Sequence, residues 1–225
     1  MNKFITGIVL MLYVSFGLVK AQDLYTEINT SNFRENPIFN QIIDTLEFQP
    51  AILNAAVFHL TNEIRLNKKL PAIGFNDKLA EAATMHSKDM AVLGFFSHTN
   101  TQNIKHKEPK DRARIIGIKN PHIAENIIEG FILKYSSGDP VIVKSPGIFL
   151  NPDTREHLPF HTYLTLAEVM IDSWMHSRGH KKNILSENAI QLGCGTYLYY
   201  MSDFNNMPTV KVTQCFQWFE PVQTE

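Results

Sequence analysis

Apolar residues recur every three to four positions in three separate stretches of this chain. Leu53, Val57, Leu60 and Ile64 form the first stripe, predicting a helix from Pro50 that fades at Asn67-Lys68-Lys69, ahead of Pro71. A second helix is expected to start at Asn76, a good N-cap, and to close at Gly94. Its stripe is Leu79, Ala82, Ala83, His86, Met90 and Leu93. The third covers about 165–178, with Leu166, Val169, Met170, Ser173, Trp174 and Ser177 on one face and Gly179 as its stop.

Elsewhere the pattern changes period. Residues 124–132 read as a strand, and two apolar, aromatic-rich runs, 190–201 and 208–218, flank the turn-like Ser202-Asp203-Phe204-Asn205-Asn206. An antiparallel hairpin centred between Phe204 and Asn205 would set Cys194 opposite Cys215. Export would favour a disulfide between them, while two free buried thiols remain the alternative. Residues 134–164, with Pro140, Pro146, Pro152 and Pro159, show no period and are expected to be a hairpin insertion or a functional flap. Residues 22–49 read as an extended leader with a short helix near 40–46. Helices first and an antiparallel sheet last make the chain α+β.

Residues 1–21 differ in kind. Lys3 precedes an apolar run from Phe4 to Val19, and Val19-Lys20-Ala21 offers small residues at a cleavage position. This is a secretory signal, too short and too early for a membrane anchor, and it implies a secreted or periplasmic protein with no stable membrane span after processing. The full chain of 225 residues has a net charge of −1; without Lys3 and Lys20, 19 bases face 22 acids, leaving −3. Such a chain lacks the broad positive field of nucleic-acid binders. Its length suits one domain, expected over 50–220.

Several segments in order resemble the CAP superfamily, which includes SCP-like proteins, cysteine-rich secretory proteins, venom allergens and pathogenesis-related proteins. They are Asn62-Glu63-Ile64-Arg65, Leu79-Ala80-Glu81-Ala82-Ala83, His86-Ser87-Lys88-Asp89-Met90 and Gly94-Phe95-Phe96-Ser97-His98-Thr99. Asp111-Arg112-Ala113-Arg114, Ala124-Glu125-Asn126-Ile127, the run from Trp174 to Leu185, and Leu192-Gly193-Cys194-Gly195 follow. The form of the Trp174–Leu185 run is that of the bacterial SCP-like branch. The resemblance implies an α-β-α sandwich with helices on a central antiparallel sheet, and a groove lined by His98, Glu125 and His180. Ser177 stands where the eukaryotic pattern has a second glutamate, and Ala124 where a glycine is usual.

Two imidazoles and a carboxylate are a plausible donor set for a divalent metal such as zinc, so His98, His180 and Glu125 are candidate ligands; loop-pinning hydrogen bonds are the alternative. His180, Glu125 and Ser177 are candidate catalytic groups of a hydrolase, although no Gly-x-Ser-x-Gly turn surrounds Ser177. His176 and His180 stand four apart, but Gly179 is expected to separate them. His86 is expected to be a hydrogen-bonded core residue, and Trp174 to lock the third helix to the sheet. His59, His106, His122, His157 and His161 read as solvated. Arg112 and Arg114, beside Asp111, read as a solvated salt-bridge face, with steering of an acidic ligand as the alternative, and Glu168 and Asp172 form an exposed acidic edge. Three functions follow: a non-enzymatic secreted module binding a small apolar molecule, a peptide or a cell-envelope component, with or without a metal; a hydrolase of peptides or envelope polymers; or a structural protein. The 134–164 insertion is expected to shape the groove.

Overall fold

The computed structural model describes residues 23–224; the signal segment lies outside the described residues. Helix α1 (Asp23–Thr26) and a short 3-10 turn (Phe33–Glu35) lead into α2 (Pro50–Asn67), strand β1 (Gly74–Phe75) and α3 (Asp77–Val92). A 3-10 turn (Ile104–His106), α4 (Pro109–Ile115) and β2 (Ile123–Phe131) come next. A hairpin, β3 (Ile142–Ser145) and β4 (Ile148–Leu150), precedes α5 (Tyr163–His176), α6 (Arg178–Ile184), β5 (Ala189–Met201) and β6 (Met207–Trp218).

The local signals for α2 and α3 act as expected. Pro50 opens α2, and the Asn76 side chain accepts a 3.0 Å hydrogen bond from the Leu79 amide at the start of α3. Gly94, with φ of +69°, turns the chain out of α3. The third helix differs: α5 ends at His176, Ser177 is the junction, and Gly179 lies inside α6. Val169 and Ser173 face solvent, because Leu166, Ala167, Met170, Ile171 and Trp174 make the buried face.

The four-stranded sheet has the order β1-β5-β6-β2. β1 joins β5 in parallel and the long strands are antiparallel, so the central sheet is mixed. α2 and α5 cover one face through the main core, and α3 and α4 cover the other. The architecture is the α+β, helix-sheet-helix sandwich. The leader belongs to it: Leu24, Phe33, Phe39 and Ile43 are buried in the main core, and no helix forms over 40–46. His59, expected to be solvated, is buried on α2, where it stacks on Phe33, donates to the Leu24 carbonyl (2.8 Å) and meets the Thr30 hydroxyl (3.0 Å).

The β5–β6 register corrects the cysteine pairing. Cys194 lies opposite Gln214, and Cys215 opposite Gly193. The connection takes five residues between Met201 and Met207, so the hairpin centres on Phe204. A one-residue shift turns the two thiols to opposite faces of the sheet. Cys194 joins the α2 side, Cys215 the α3 side, and both are free.

The 134–164 segment contains the β3–β4 hairpin. Its Phe149 packs with Leu133, Met207, Met201 and Phe204. This is the Phe131 end of β2, six residues and therefore about 20 Å along the strand from Glu125. The insertion braces the β5–β6 turn instead of shaping the groove.

Gly193 and Gly195 set the spacing between sheet and helix. A Cβ on Gly193 would lie 2.0 Å from the Ala80 amide nitrogen, and one on Gly195 2.1 Å from that of Thr84. Only hydrogen lets the α3 backbone come so close. Gly195→Ala should therefore cost about 3 kcal/mol or more, lowering Tm by roughly 6 °C or more for a chain of this size; an unchanged melting curve would refute the close packing. Under denaturing, non-reducing conditions a maleimide should label both Cys194 and Cys215, and reductant should leave Tm unchanged.

Candidate functional site

The site grows from one carboxylate. Glu125 lies on the α3-facing side of β2, opposite Cys215, with its side chain 1% exposed. Burying an unpaired carboxylate is costly, so its partners decide what it can do. The Arg112 guanidinium, equally buried on α4, donates to Glu125 Oε2 at 2.6 Å. His98, from the loop after α3, donates through Nδ1 to Oε1 at 2.9 Å. His86 of α3 brings Nε2 to 3.6 Å from Oε1 while donating to the Ser97 carbonyl at 3.0 Å.

Arg112 ties the loop down as well. It donates to the carbonyls of His106 (2.8 Å), Lys107 (3.2 Å) and His98 (3.2 Å). Thus α4 and the 98–107 loop are held to β2 through one guanidinium, whose rigid fork of donors suits this role. Arg112 is accordingly buried, which corrects the expected solvated face; Arg114, 3.6 Å from Asp111, remains at the surface.

His180 reaches the same region from α6. Its ring centroid is 6.4 Å from that of His98 and 6.5 Å from that of Trp174. The helix is fixed from several sides. Asn126, buried on β2, donates to the His180 carbonyl (3.3 Å) and to Gln214 (3.1 Å). Asn183 donates to the Glu125 carbonyl (3.2 Å) and to Asn126 (2.9 Å). Arg65, buried on α2, donates to the Ile184 and Ser186 carbonyls at 2.8 Å each, closing the end of α6. Trp174 donates from Nε1 to the Ile127 carbonyl at 3.0 Å, locking α5 to the sheet edge.

The structure therefore brings His98 and Glu125 into contact and sets His180 opposite them. It also adds Arg112 and His86, which the sequence reading placed on a surface and in the core. Ser177 is the N-cap of α6, and its hydroxyl makes no hydrogen bond to His180 or Glu125. His176 is exposed and bonded to the Asp172 carbonyl (2.8 Å), so it does not pair with His180. Of the other histidines, His106 binds Asp89 at 2.6 Å and His161 meets Thr165 at 3.0 Å. His122 lies exposed, 3.9 Å from Glu220. Glu168 pairs with Arg34.

The donor set does not fit a three-ligand zinc centre. Both Glu125 oxygens are already taken, one of them by a guanidinium, which leaves two imidazoles. Among the described residues no group of three or more His, Cys, Asp or Glu side chains has metal-holding geometry.

Burial opposes ionisation of Glu125, but the His98 hydrogen bond and the Arg112 charge outweigh it and hold the carboxyl below its usual range. Burial lowers His180, aided by the neighbouring His98. His86 is pushed down from 6.5 to about 4, chiefly by burial, with the Glu125 charge opposing.

Comparison with known proteins places this geometry. The Cysteine-rich secretory protein family (CAP) model matches residues 58–141, which carry His86, His98, Arg112 and Glu125. The uncharacterized protein YkwD of Bacillus subtilis (strain 168) is 27% identical over 139 residues, covering 62% of this chain and 40% of that protein. An extracellular protein containing a SCP domain from Bacillus anthracis (strain Ames) has the same fold, with a TM-score of 0.50 and 23% identity, over 76% of this chain and 41% of its own. The chain thus spans less than half the length of either. Over residues 58–141 the chain is thus similar to the CAP superfamily of SCP-like domains, and the proteins it resembles here are bacterial. Such domains are typically secreted, in agreement with the expected location. No helix among the described residues is long and apolar enough to cross a membrane.

The depressed His86 pKa fixes the sign of one pH effect. Between pH 6.5 and about 4 the unfolded chain binds a proton at this position that the folded chain refuses. Its contribution to stability, roughly 3 kcal/mol at most, is complete above pH 6.5 and is lost as pH falls toward 4. Tm against pH should decline over that window, and His86→Gln should flatten the decline; an equal slope in the variant would show that His86 does not contribute.

Proposed function

We propose that this chain is a secreted, non-enzymatic binding module whose groove, lined by His98, Glu125, Ser177 and His180, takes a small apolar, peptide or cell-envelope ligand. The observation that carries this reading is the commitment of Glu125. Its two oxygens hold His98 and Arg112 in place, so the carboxylate organises the groove and is not free to move protons. The groups offered to a ligand are imidazoles: His98, with its side chain 47% exposed and Nε2 directed away from Glu125, and the half-buried His180 opposite it. Neutral imidazoles both donate and accept, which suits amides and hydroxyls. Metal assistance has no third protein ligand to draw on and is not part of this reading.

A hydrolase remains the second reading because of one feature. A carboxylate bound to His98 Nδ1 is the arrangement that orients a general base. What it lacks is a nucleophile in contact with either histidine, since Ser177 is not hydrogen-bonded to His180.

A quenched-fluorescent peptide library separates the two. Residues 22–225 should cleave it no faster than a folded His98→Ala/His180→Ala variant, while fluorescence polarisation with unquenched members should show saturable binding lost in that variant. Turnover abolished by His180→Ala or Glu125→Gln, with folding intact, would replace the binding module by a hydrolase.

A further inference from the structure

A cavity of about 560 Å³ lies on the α3-facing side of the sheet, beyond His98 and Glu125. Glu129 and Lys211 form its floor, directly opposed on β2 and β6. Glu129 is four residues from Glu125 on the same face, about 13 Å along the strand. The end of α3 and Phe96 make one wall, and Tyr199, Tyr200 and Asp203 make the other.

The floor is a built polar pair. Lys211, with its side chain 7% exposed, forms an ion pair with Glu129. Its ammonium also lies 4.7 Å from the Phe96 ring centroid and 5.5 Å from that of Tyr199. The Tyr199 hydroxyl donates to Glu129 Oε2 at 2.5 Å. Among the described residues, nothing donates to Glu129 Oε1 or to the Asp203 carboxylate. At the rim, Phe96 stays 53% exposed.

This chemistry selects its ligand. An anion would meet Glu129 and Asp203, and a cation would meet Lys211. A hydrocarbon chain would strip water from the floor without replacing its hydrogen bonds. A ring carrying several hydroxyls satisfies both sides, donating to the free carboxylate oxygens, accepting from Lys211, and laying a C–H face on Phe96. The volume falls in the roughly 300–1,000 Å³ range of small-molecule pockets.

We propose that this cavity is a saccharide subsite that takes a pyranose ring of a glycan against Phe96, over Glu129 and Lys211. The subsite stands independently of the reading given to the His98–Glu125 groove.

Calorimetry and saturation-transfer NMR on residues 22–225, with maltotriose, cellotetraose and N-acetylglucosamine tetramer as probes, test it. At least one should bind saturably. Phe96→Ala and Asp203→Asn, both at exposed positions and so expected to fold, should each weaken that binding by about tenfold or more. His98→Ala/His180→Ala should leave it unchanged. Failure of all three sugars to saturate, or unaltered binding in both of these variants, would overturn the subsite. Loss of sugar binding in the histidine variant alone would move the sugar into the groove, overturning this cavity's role while leaving the groove reading intact.

Discussion

The buried pair between Arg112 and Glu125 is the interaction on which the functional end of this molecule depends. A carboxylate and a guanidinium, each about 1% exposed, lie at the boundary between β2 and the α3–α4 layer. Neither could stay ionised there alone, and the pair is tolerable only because further hydrogen bonds engage both ends, with Arg112 Nε left unpartnered. Arg112 therefore also takes three loop carbonyls, and Glu125 takes His98. The electrostatic requirement of one buried carboxylate in this way fixes the path of the 98–107 loop, the seat of α4 and the orientation of an exposed histidine.

A second network does the same for His180. Asn126 and Asn183 bind one another and the edge of β2, Trp174 covers the next edge carbonyl, and Arg65 closes α6 from α2. β2 is an edge strand, and such edges invite unwanted pairing unless they are covered. The elements that cover it are the ones that deliver His180. His98 and His180 are thus held by residues with structural obligations, which is why the two imidazoles approach each other without a free carboxylate beside them. The Glu129–Lys211 cavity follows the same face of the same strand.

Much of the scaffold was legible because its causes are local. The stripes of α2 and α3, the Asn76 cap and Gly94 lie within a few residues of what they determine. The close packing of Gly193 and Gly195 was visible as a motif, but its reason, an α3 backbone that admits no Cβ, exists only across the layers. Trp174 and His86 read correctly as buried, since a large or polar side chain on an apolar stripe has few other places to go. The α5 end was misread because a glycine can stop a helix or lie within one, and here Ser177 makes the break.

By itself the sequence determined the α+β class, the CAP resemblance and the identities of His98, Glu125 and His180 as groove candidates. The tertiary structure alone decided what those residues can do. Charge and burial are not properties of a position in the chain: Arg112 looks like a surface base until Glu125, 13 residues on, is folded against it. Register is equally non-local. A five-residue connection at Met201–Met207 turned Cys194 and Cys215 to opposite faces, an outcome set by pairing geometry along the whole hairpin and not by either cysteine's neighbours.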